Sequence, residues 1–219
     1  MEIKNVKVYG LEESIIRSGY PMQIEAPTEL GYTDDKCIYI GEAEEKDYIR
    51  SRKLANTPNG SGHDNFLKGI IVQFDLKYTQ YWTKHLQRYT WFTYFSGQSQ
   101  MHKMTTRSLK DACNKYVIPR IINEVQLMID TYNYADAKYP LNIGGIEIIN
   151  KQKLFQAIMS NCPMGYELWQ PVSTNYMSLK TMYNQRRHHK LEEWQEFCDW
   201  IETLPMSKLI TNKKDEQNN

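Results

Sequence analysis

One short segment of this 219-residue chain constrains its fold most, because it combines strand, helix and strand signals without a break. The run GIIVQFDL at 69–76 predicts a strand, since β-branched and aromatic residues favour extended backbone. In the next segment, 77–89, aromatic and apolar residues recur at spacings of three and four, which predicts an amphipathic helix. The run WFTYF at 91–95 predicts a second strand. This mixture predicts an α+β fold.

The remaining chain carries similar signals, and no linker divides it. We predict strands over 2–10 and 167–175, and helices over 11–19, 42–57, 119–132, 151–161 and 191–204. Residues 20–41 predict a loop, and the glycine pair in NIGGIE (142–147) predicts a tight turn. We therefore expect one domain over residues 1–205, followed by a polar, disordered tail over 206–219.

Composition and motifs argue against several classes of protein. A net charge of +1 gives no electrostatic support for a nucleic-acid or membrane partner. The four cysteines form no CxxC pair, and no apolar run approaches membrane length, so we predict a cytoplasmic protein without a metal site. The sequence contains no P-loop, GxGxxG, HExxH or GxSxG motif.

Two short clusters are candidates for ligand binding. In FSGQSQMH (95–102), small residues would let the backbone approach a phosphate or carboxylate, and hydroxyl and amide groups stand between them. The alternative is a polar surface loop. In NQRRHHK (184–190), arginines could bind an anion through paired hydrogen bonds. The alternative there is a solvated helix end.

With their flanks, both clusters resemble the flavin-dependent thymidylate synthase family. That family has a His-x-Ser-Phe-Leu-Glu-His segment, a strand, a helix and the signature R-H-R-x-x-S-x-N-E-x-S-x-R-Y. The matching positions here are His63, Phe66, Leu67, Phe74, His85 and Ser99. A later Asn-x-Arg-Ser segment, a Leu-Arg pair and an Ala-Gln-x-Glu-Ile helix match Asn175, Ser178, Arg186 or Arg187, and LEEWQEF. The matched pieces cover roughly half of the chain.

Several charged positions of the family signature differ in this chain. The R-H-R positions hold Tyr89, Thr90 and Trp91, with Arg88 one position earlier. The Asn-Glu pair is Ser96-Gly97, the late arginine is Met101, the final tyrosine is His102, and the arginine of Asn-x-Arg-Ser is Met177. Tyr89 and Trp91 could stack on a flavin ring, or they could fill its place.

The resemblance implies a fold, a reaction and a set of site residues. The implied fold is a single mixed α/β domain with a central antiparallel sheet flanked by helices. The implied reaction is one-carbon transfer to the 5-carbon of a pyrimidine deoxynucleotide, dUMP or a related one. In it FAD carries the hydride, methylenetetrahydrofolate and NADPH are co-substrates, and the enzyme is a homotetramer. The alternative is a degenerate member that binds a nucleotide or a protein without flavin.

The implied site residues fall into three sets. Arg186 or Arg187 would polarise the pyrimidine as the catalytic arginine. The cofactor-binding set is His63, Asn65, Arg88, Tyr89, Thr90, Trp91 and Asn175. The substrate-binding set, for the nucleotide phosphate, is Gln98, Ser99, Gln100 and His102.

Overall fold

The computed structural model describes residues 1–24, 31–33, 36–38, 43–58 and 60–212. The strands are β1 (Glu2–Tyr9), β2 (Gly31–Thr33), β3 (Lys36–Ile38), β4 (Ile71–Thr79), β5 (Thr93–Tyr94), β6 (Leu141–Ile143), β7 (Ile146–Ile148) and β8 (Glu167–Asn175). The helices are α1 (Leu11–Arg17), α2 (Glu45–Ala55), α3 (Gln80–Leu86), α4 (Gln100–Lys103), α5 (Leu109–Ala112), α6 (Pro119–Asn133), α7 (Lys151–Ser160), α8 (Tyr176–Arg186), α9 (Glu192–Glu202) and α10 (Lys208–Thr211). Short 3-10 turns span Tyr20–Met22 and Asn65–Gly69.

Four strands form the main sheet, in the order β1-β4-β8-β5. Along β4, half-buried and buried residues alternate, as expected for a strand with one face against a core. Two antiparallel hairpins lie outside this sheet, β2 with β3 and β6 with β7. The predicted α+β class, with an antiparallel sheet and flanking helices, is confirmed.

The predicted tight turn in NIGGIE is confirmed as the connection of the β6–β7 hairpin. Ile143 pairs with Ile146, which leaves two residues in the turn. Both of them, Gly144 and Gly145, have positive φ angles, 58° and 84°. A two-residue turn with positive φ at both positions favours glycine, which adopts this conformation without the steric cost of a Cβ atom.

The chain separates into two compact units. Unit 1 comprises residues 1–4, 75–88 and 94–171, and unit 2 comprises 5–74, 89–93 and 172 onwards. The single domain over 1–205 stays a prediction. None of the helices in the described part of the chain has the length and apolar character needed to cross a bilayer.

The core of unit 1 is built on α6 and α7. Helix α6 begins at Pro119, as predicted, because the missing N–H of proline costs nothing in the first turn. Its buried stripe is Val125, Met128 and Ile129, and these side chains share one hydrophobic cluster with Leu154 of α7.

The core of unit 2 is largely aromatic. Phe74 of β4 lies 6.1 Å from Phe92 and 4.6 Å from Trp200, measured between ring centroids. On α9, Trp194 and Phe197 lie on the predicted apolar face and are fully buried. Such rings bury a large apolar area each, so this cluster contributes much of the stability of the unit.

Three predicted boundaries were wrong. The helix over 77–89 is only Gln80–Leu86, because residues 77–79 continue β4. The strand over 91–95 is only Thr93–Tyr94, because the Phe92 N–H donates to the Tyr89 carbonyl in a turn. The loop over 20–41 contains β2 and β3; its residues 25–30, 34–35 and 39–41 lie outside the described part.

The predicted tail over 206–219 starts too early. Residues Lys208–Thr211 form α10, and Leu209 and Ile210 are fully buried. These two apolar side chains in a polar stretch give the segment a face to bury. Residues 213–219 lie outside the described part.

Candidate functional site

A cavity of about 760 Å³ is lined entirely by residues of unit 2. Pockets for small ligands and cofactors usually span roughly 300–1,000 Å³. Its walls come from α1, the Tyr20–Met22 turn, α2 and the segment 62–69. They combine aromatic and aliphatic groups with hydroxyl, amide and cationic groups, among them Ser14, Arg17, Ser18, Tyr20, Arg50, Leu54, His63, Asn65 and Phe66.

Arg50 of α2 is a structural cation of this cavity. Its Nη2 donates to the carbonyl oxygens of Ile15 at 3.2 Å and Ile16 at 3.1 Å, both in the last turn of α1. Nη2 also donates to Asp47 Oδ1 at 2.6 Å. Burial alone would raise the pKa of Asp47, but hydrogen bonds from Arg50 and from the Glu44 N–H hold that pKa below its usual value. Arg50 therefore ties α2 to α1, and its charge is compensated.

Arg17, the last residue of α1, lines the same cavity with a cationic side chain. Its side chain is exposed and has no hydrogen-bond or ion-pair partner among the described residues. A guanidinium binds phosphate or carboxylate through two parallel hydrogen bonds. Arg17 is therefore the group of this cavity best suited to an anionic ligand.

His63 and Asn65, two residues of the predicted cofactor-binding set, both line the cavity. Both side chains are exposed, and neither has a hydrogen bond to another described residue. Asp64, which lies between them, is 3 % exposed, and its carboxylate accepts a hydrogen bond from Lys180 Nζ at 2.7 Å. The segment is thus anchored through Asp64, while its two neighbours remain available to a ligand.

Arg186, at the end of α8, is held by two aromatic side chains. Its Nε donates to Tyr89 Oη at 2.8 Å, and its guanidinium carbon lies 4.9 Å from the centroid of Trp194. Cations over aromatic rings are attracted by the ring quadrupole. Neither Nη1 nor Nη2 has a partner among the described residues. Arg186 therefore presents two unused donor groups from a fixed position.

Arg187 is engaged in ion pairs instead. Its Nη1 donates to Asp199 Oδ1 at 2.5 Å, and its Nε lies 3.7 Å from Glu202. The Tyr183 hydroxyl also donates to Glu202, at 2.7 Å. Burial and this hydrogen bond raise the pKa of Tyr183 to about 12. Of the two arginines that the sequence left open, Arg187 is held by carboxylates, whereas both terminal nitrogens of Arg186 lack a partner among the described residues.

The four residues from Arg88 to Trp91 differ sharply in exposure. Tyr89 is 9 % exposed, and its hydroxyl also donates to Gln185 at 3.0 Å. Arg88, Thr90 and Trp91 are exposed, Trp91 by 67 %. Tyr89 thus supports Arg186 and Trp194 from within unit 2 and has no open face for a flavin ring, whereas Trp91 has one.

The loop 96–102 belongs to unit 1 and holds Gln98, Ser99, Gln100 and His102 close together. The Gln98 N–H donates to the Trp169 carbonyl at 2.9 Å, and Gln98 Oε1 accepts from the Trp169 N–H at 3.2 Å. The Ser99 hydroxyl caps α4 by accepting from the His102 N–H at 3.4 Å. Except for the half-buried Gln100, these side chains are exposed.

Gly97 was predicted to let the backbone of this loop approach a ligand, but what it approaches is Gln170. A Cβ atom at position 97 would lie 2.4 Å from the Cγ of Gln170. Gln170 is itself held by a hydrogen bond from the Tyr78 hydroxyl. The glycine is therefore explained by packing within unit 1.

Asn175 caps helix α8. It is 6 % exposed, and its Oδ1 accepts a hydrogen bond from the Ser178 N–H at 2.8 Å. An asparagine in this position satisfies an N–H that the first helical turn leaves without a partner. Its amide NH₂ has no partner among the described residues, so one polar group remains.

No protein-family model matches the sequence, and no curated protein matches it at a significant level. Solved structures do share the fold. One is flavin-dependent thymidylate synthase ThyX from Helicobacter pylori complexed with FAD and dUMP, with a TM-score of 0.61, 15% identity, and coverage of 96% of this chain and 97% of that chain. A second structure of ThyX from the same organism, also with FAD and dUMP, gives a TM-score of 0.59 at the same identity and coverage. The fold is that of a flavin-dependent thymidylate synthase. At this identity the likeness establishes the fold alone.

In this thymidylate synthase fold, each compact unit carries some of the predicted site residues. His63 and Asn65 share the cavity, Tyr89 contacts Arg186, and the residues of loop 96–102 lie together in unit 1. Arg186, Tyr89 and Asn175 do not line the cavity.

Sequence reasoning missed four residues of these groups: Arg17, Arg50, Trp194 as the partner of Arg186, and Lys180. Arg17 and Arg50 stand in ordinary charged helices, so no local pattern distinguishes them. A lysine among buried helical neighbours was a signal for Lys180, since lysine is rarely buried without a partner. Trp194 was recognised as a core residue, but its contact with Arg186 requires the three-dimensional structure.

Proposed function

We propose that this protein is a divergent flavin-dependent thymidylate synthase-like enzyme that transfers a one-carbon unit to the 5-carbon of a pyrimidine deoxynucleotide, dUMP or a related one. The fold supports this proposal, because it matches over 96% of the chain a ThyX that was crystallised with FAD and dUMP. The observation that carries it to this chain is Arg186, a fixed arginine with two unused donor groups.

The cavity of unit 2 fits an anionic ligand that also carries aromatic rings, as FAD does. Arg17 supplies a cation for a diphosphate, one without an ion-pair partner among the described residues, and His63 and Asn65 supply polar groups. Tyr20 and Phe66 supply aromatic rings. FAD, when bound, supplies hydride chemistry. The residues around it bind and orient the ligand. Of the other predicted cofactor residues, Arg88, Thr90 and Trp91 are exposed, and the Asn175 amide NH₂ has no partner within the described part of the chain.

Arg186 is the proposed catalytic residue. Its Nη1 and Nη2 groups donate to a carbonyl oxygen of the pyrimidine and stabilise the negative charge that develops there. Tyr89 and Trp194 keep the guanidinium in place, which lowers the cost of ordering it when substrate binds. Gln98, Ser99, Gln100 and His102 are the proposed phosphate-binding residues. Methylenetetrahydrofolate and NADPH are the proposed co-substrates, in a cytoplasmic homotetramer.

Flavin binding is tested first. We expect the purified protein to be yellow or to change the absorption spectrum of added FAD. Free FAD at 100 times its Kd adds about 2.7 kcal/mol to the free energy of unfolding. For a chain of this length, that corresponds to a rise in Tm of roughly 5–10 °C. A colourless protein whose spectrum and Tm do not respond to FAD would refute the enzyme proposal.

Nucleotide binding is tested by titration calorimetry with dUMP on FAD-loaded protein. Arg186→Ala should weaken dUMP binding strongly, because two charge-assisted hydrogen bonds are lost, each worth roughly 1.5–3 kcal/mol. Arg120→Ala is the matched control, an exposed arginine of α6 in unit 1. If Arg187→Ala weakens binding while Arg186→Ala does not, the assignment of the catalytic arginine is reversed.

The second candidate function is a nucleotide-binding or protein-interaction module without flavin. Tyr89 favours it, because this residue stands at a position where the family signature has a cation and its hydroxyl is already engaged by Arg186 and Gln185. This candidate predicts dUMP binding that depends on Arg186 together with no response to FAD. The spectral measurement above, together with dUMP calorimetry repeated on protein without FAD, separates the two.

A further inference from the structure

Unit 2 contains a buried ion pair between Asp64 and Lys180. The side chains are 4 % and 1 % exposed, and Lys180 Nζ lies 2.7 Å from Asp64 Oδ2. The same ammonium donates to the carbonyl oxygen of Ala55 at 2.6 Å. Both contacts are charge-assisted hydrogen bonds, which are stronger than bonds between neutral groups.

Stability alone does not account for this pair. Removing two charges from water costs roughly what their attraction returns, so apolar side chains of similar volume would hold the core about as well. The neighbouring buried positions of α8, Leu179 and Met182, are apolar. A lysine at position 180 therefore points to a requirement for a particular arrangement of the segments that it joins.

Those segments are two walls of the cavity. Asp64 lies between His63 and Asn65, which line one wall. Ala55 is the last residue of α2, whose residues Arg50 and Leu54 line another wall. The Lys180 ammonium group thus bonds to both of the segments that form these walls.

The wall that carries His63 depends on this anchor. Neither the His63 nor the Asn65 side chain has a hydrogen bond to a described residue, so their positions follow from the backbone. That backbone forms a turn in which the Asn65 N–H donates to the Gly62 carbonyl at 3.4 Å, a long hydrogen bond. The Asp64 carboxylate attaches this turn to Lys180 of α8 through a charge-assisted hydrogen bond of 2.7 Å.

We propose that Lys180 is a positioning residue for the cavity: through Asp64 and the Ala55 carbonyl, it sets the separation of the walls that carry His63 and Asn65 and that carry Arg50 and Leu54. The choice of FAD as the ligand rests on the proposed function above. The effect on His63 does not.

The experiment compares Lys180→Met, Asp64→Asn and the double variant Asp64→Leu/Lys180→Met in the full chain. The single variants break the pair, whereas the double variant removes both charges and should recover folding stability. Leu209→Ala is the control, because it destabilises unit 2 by deleting a fully buried side chain that does not line the cavity.

Two quantities are measured at a temperature where every variant is folded. The first is the imidazole NMR signal of His63, assigned with His63→Gln. The second is the Kd for FAD. We expect the His63 signal to move in the two single variants and in the double variant, and to stay unchanged in Leu209→Ala. We expect the Kd for FAD to rise about tenfold in the two single variants and in the double variant. This is the lower end of the loss of affinity seen when a metal-binding histidine loses the partner that orients it.

A double variant that recovers stability and also keeps the wild-type His63 signal and Kd would overturn the proposal, because the pair would then be structural only. If the wild-type protein binds no FAD, the proposed cofactor fails, and the His63 signal alone decides the role of Lys180. An unchanged signal in all three variants refutes that role, and a shifted one supports it.

Discussion

Replacing Tyr89 with phenylalanine tests whether this tyrosine supports Arg186. The substitution keeps the buried ring next to Trp194, at 6.1 Å between centroids, and removes only the hydroxyl. That hydroxyl accepts from Arg186 Nε at 2.8 Å and donates to Gln185 at 3.0 Å. The perturbation is therefore confined to two hydrogen bonds.

The expected cost follows from those contacts. Hydrogen bonds to charged groups contribute about 1.5–3 kcal/mol, and neutral ones about 0.5–1.5 kcal/mol. Arg186 and Gln185 are not fully buried, so water replaces part of the loss. We expect the free energy of unfolding to fall by about 1–2 kcal/mol, with the urea midpoint lowered and the m-value unchanged.

The control for this prediction is Tyr134→Phe, since Tyr134 is 61 % exposed and should cost less than about 0.5 kcal/mol. A double-mutant cycle with Arg186→Met then isolates the contact. We expect a coupling energy of about 1 kcal/mol between positions 89 and 186. Equal costs of Tyr89→Phe in the presence and absence of Arg186 would show that the hydroxyl does not support the arginine.

Further substitutions probe other contacts. Gly97→Ala should lower the free energy of unfolding, measured by urea denaturation, by about 1–3 kcal/mol because the new Cβ atom overpacks against Gln170. Adding Gln170→Ser to the same chain should remove most of that cost, because the shorter side chain no longer meets the Cβ atom. Arg187→Met should cost only about 0–1 kcal/mol, because its ion pairs with Asp199 and Glu202 are both partly exposed to solvent; a larger loss would contradict this. Burial raises the pKa of Cys162 from 9.0 to about 11, so at pH 8 its alkylation should be about a hundredfold slower in the folded than in the unfolded chain. The pKa of Cys162 is higher in the folded than in the unfolded chain. The contribution of this thiol to the free energy of unfolding is therefore complete below pH 9 and is lost as the pH rises through 11. Cys162→Ser should accordingly lose less stability at alkaline pH than the wild-type protein.

Much of the fold could be predicted from periodicity and end signals. The buried face of α9 follows from the spacing of Trp194 and Phe197, and the start of α6 follows from Pro119. Helix α8 escaped prediction because buried residues surround its axis, Lys180 among them, and no one-sided apolar stripe appears. Strand β5 was predicted too long because pairing with a neighbour, more than aromatic content, sets where a strand ends.

The candidate site was predictable only in part. His63 and Asn65 line the cavity and were found through the family resemblance. The partner of Lys180 lies 116 residues away in the chain, and no local pattern reveals such a pair. The adjacent arginines are equivalent in sequence. The structure distinguishes them, because Arg186 contacts Trp194 and Arg187 contacts Asp199.

The cap at Asn175 has a consequence for how this helix tolerates insertions and deletions. Each residue of an α-helix turns it by about 100°, so the count from the Asn175 cap determines which side chain points at Trp194. Position 186 is the eleventh after the cap. Deleting one residue between them would bring Arg187 into that position, and inserting one would bring Gln185 there. The helical phase set at Asn175 therefore determines which side chain the aromatic residues contact, and the presence of two adjacent arginines does not by itself ensure that this side chain is a cation.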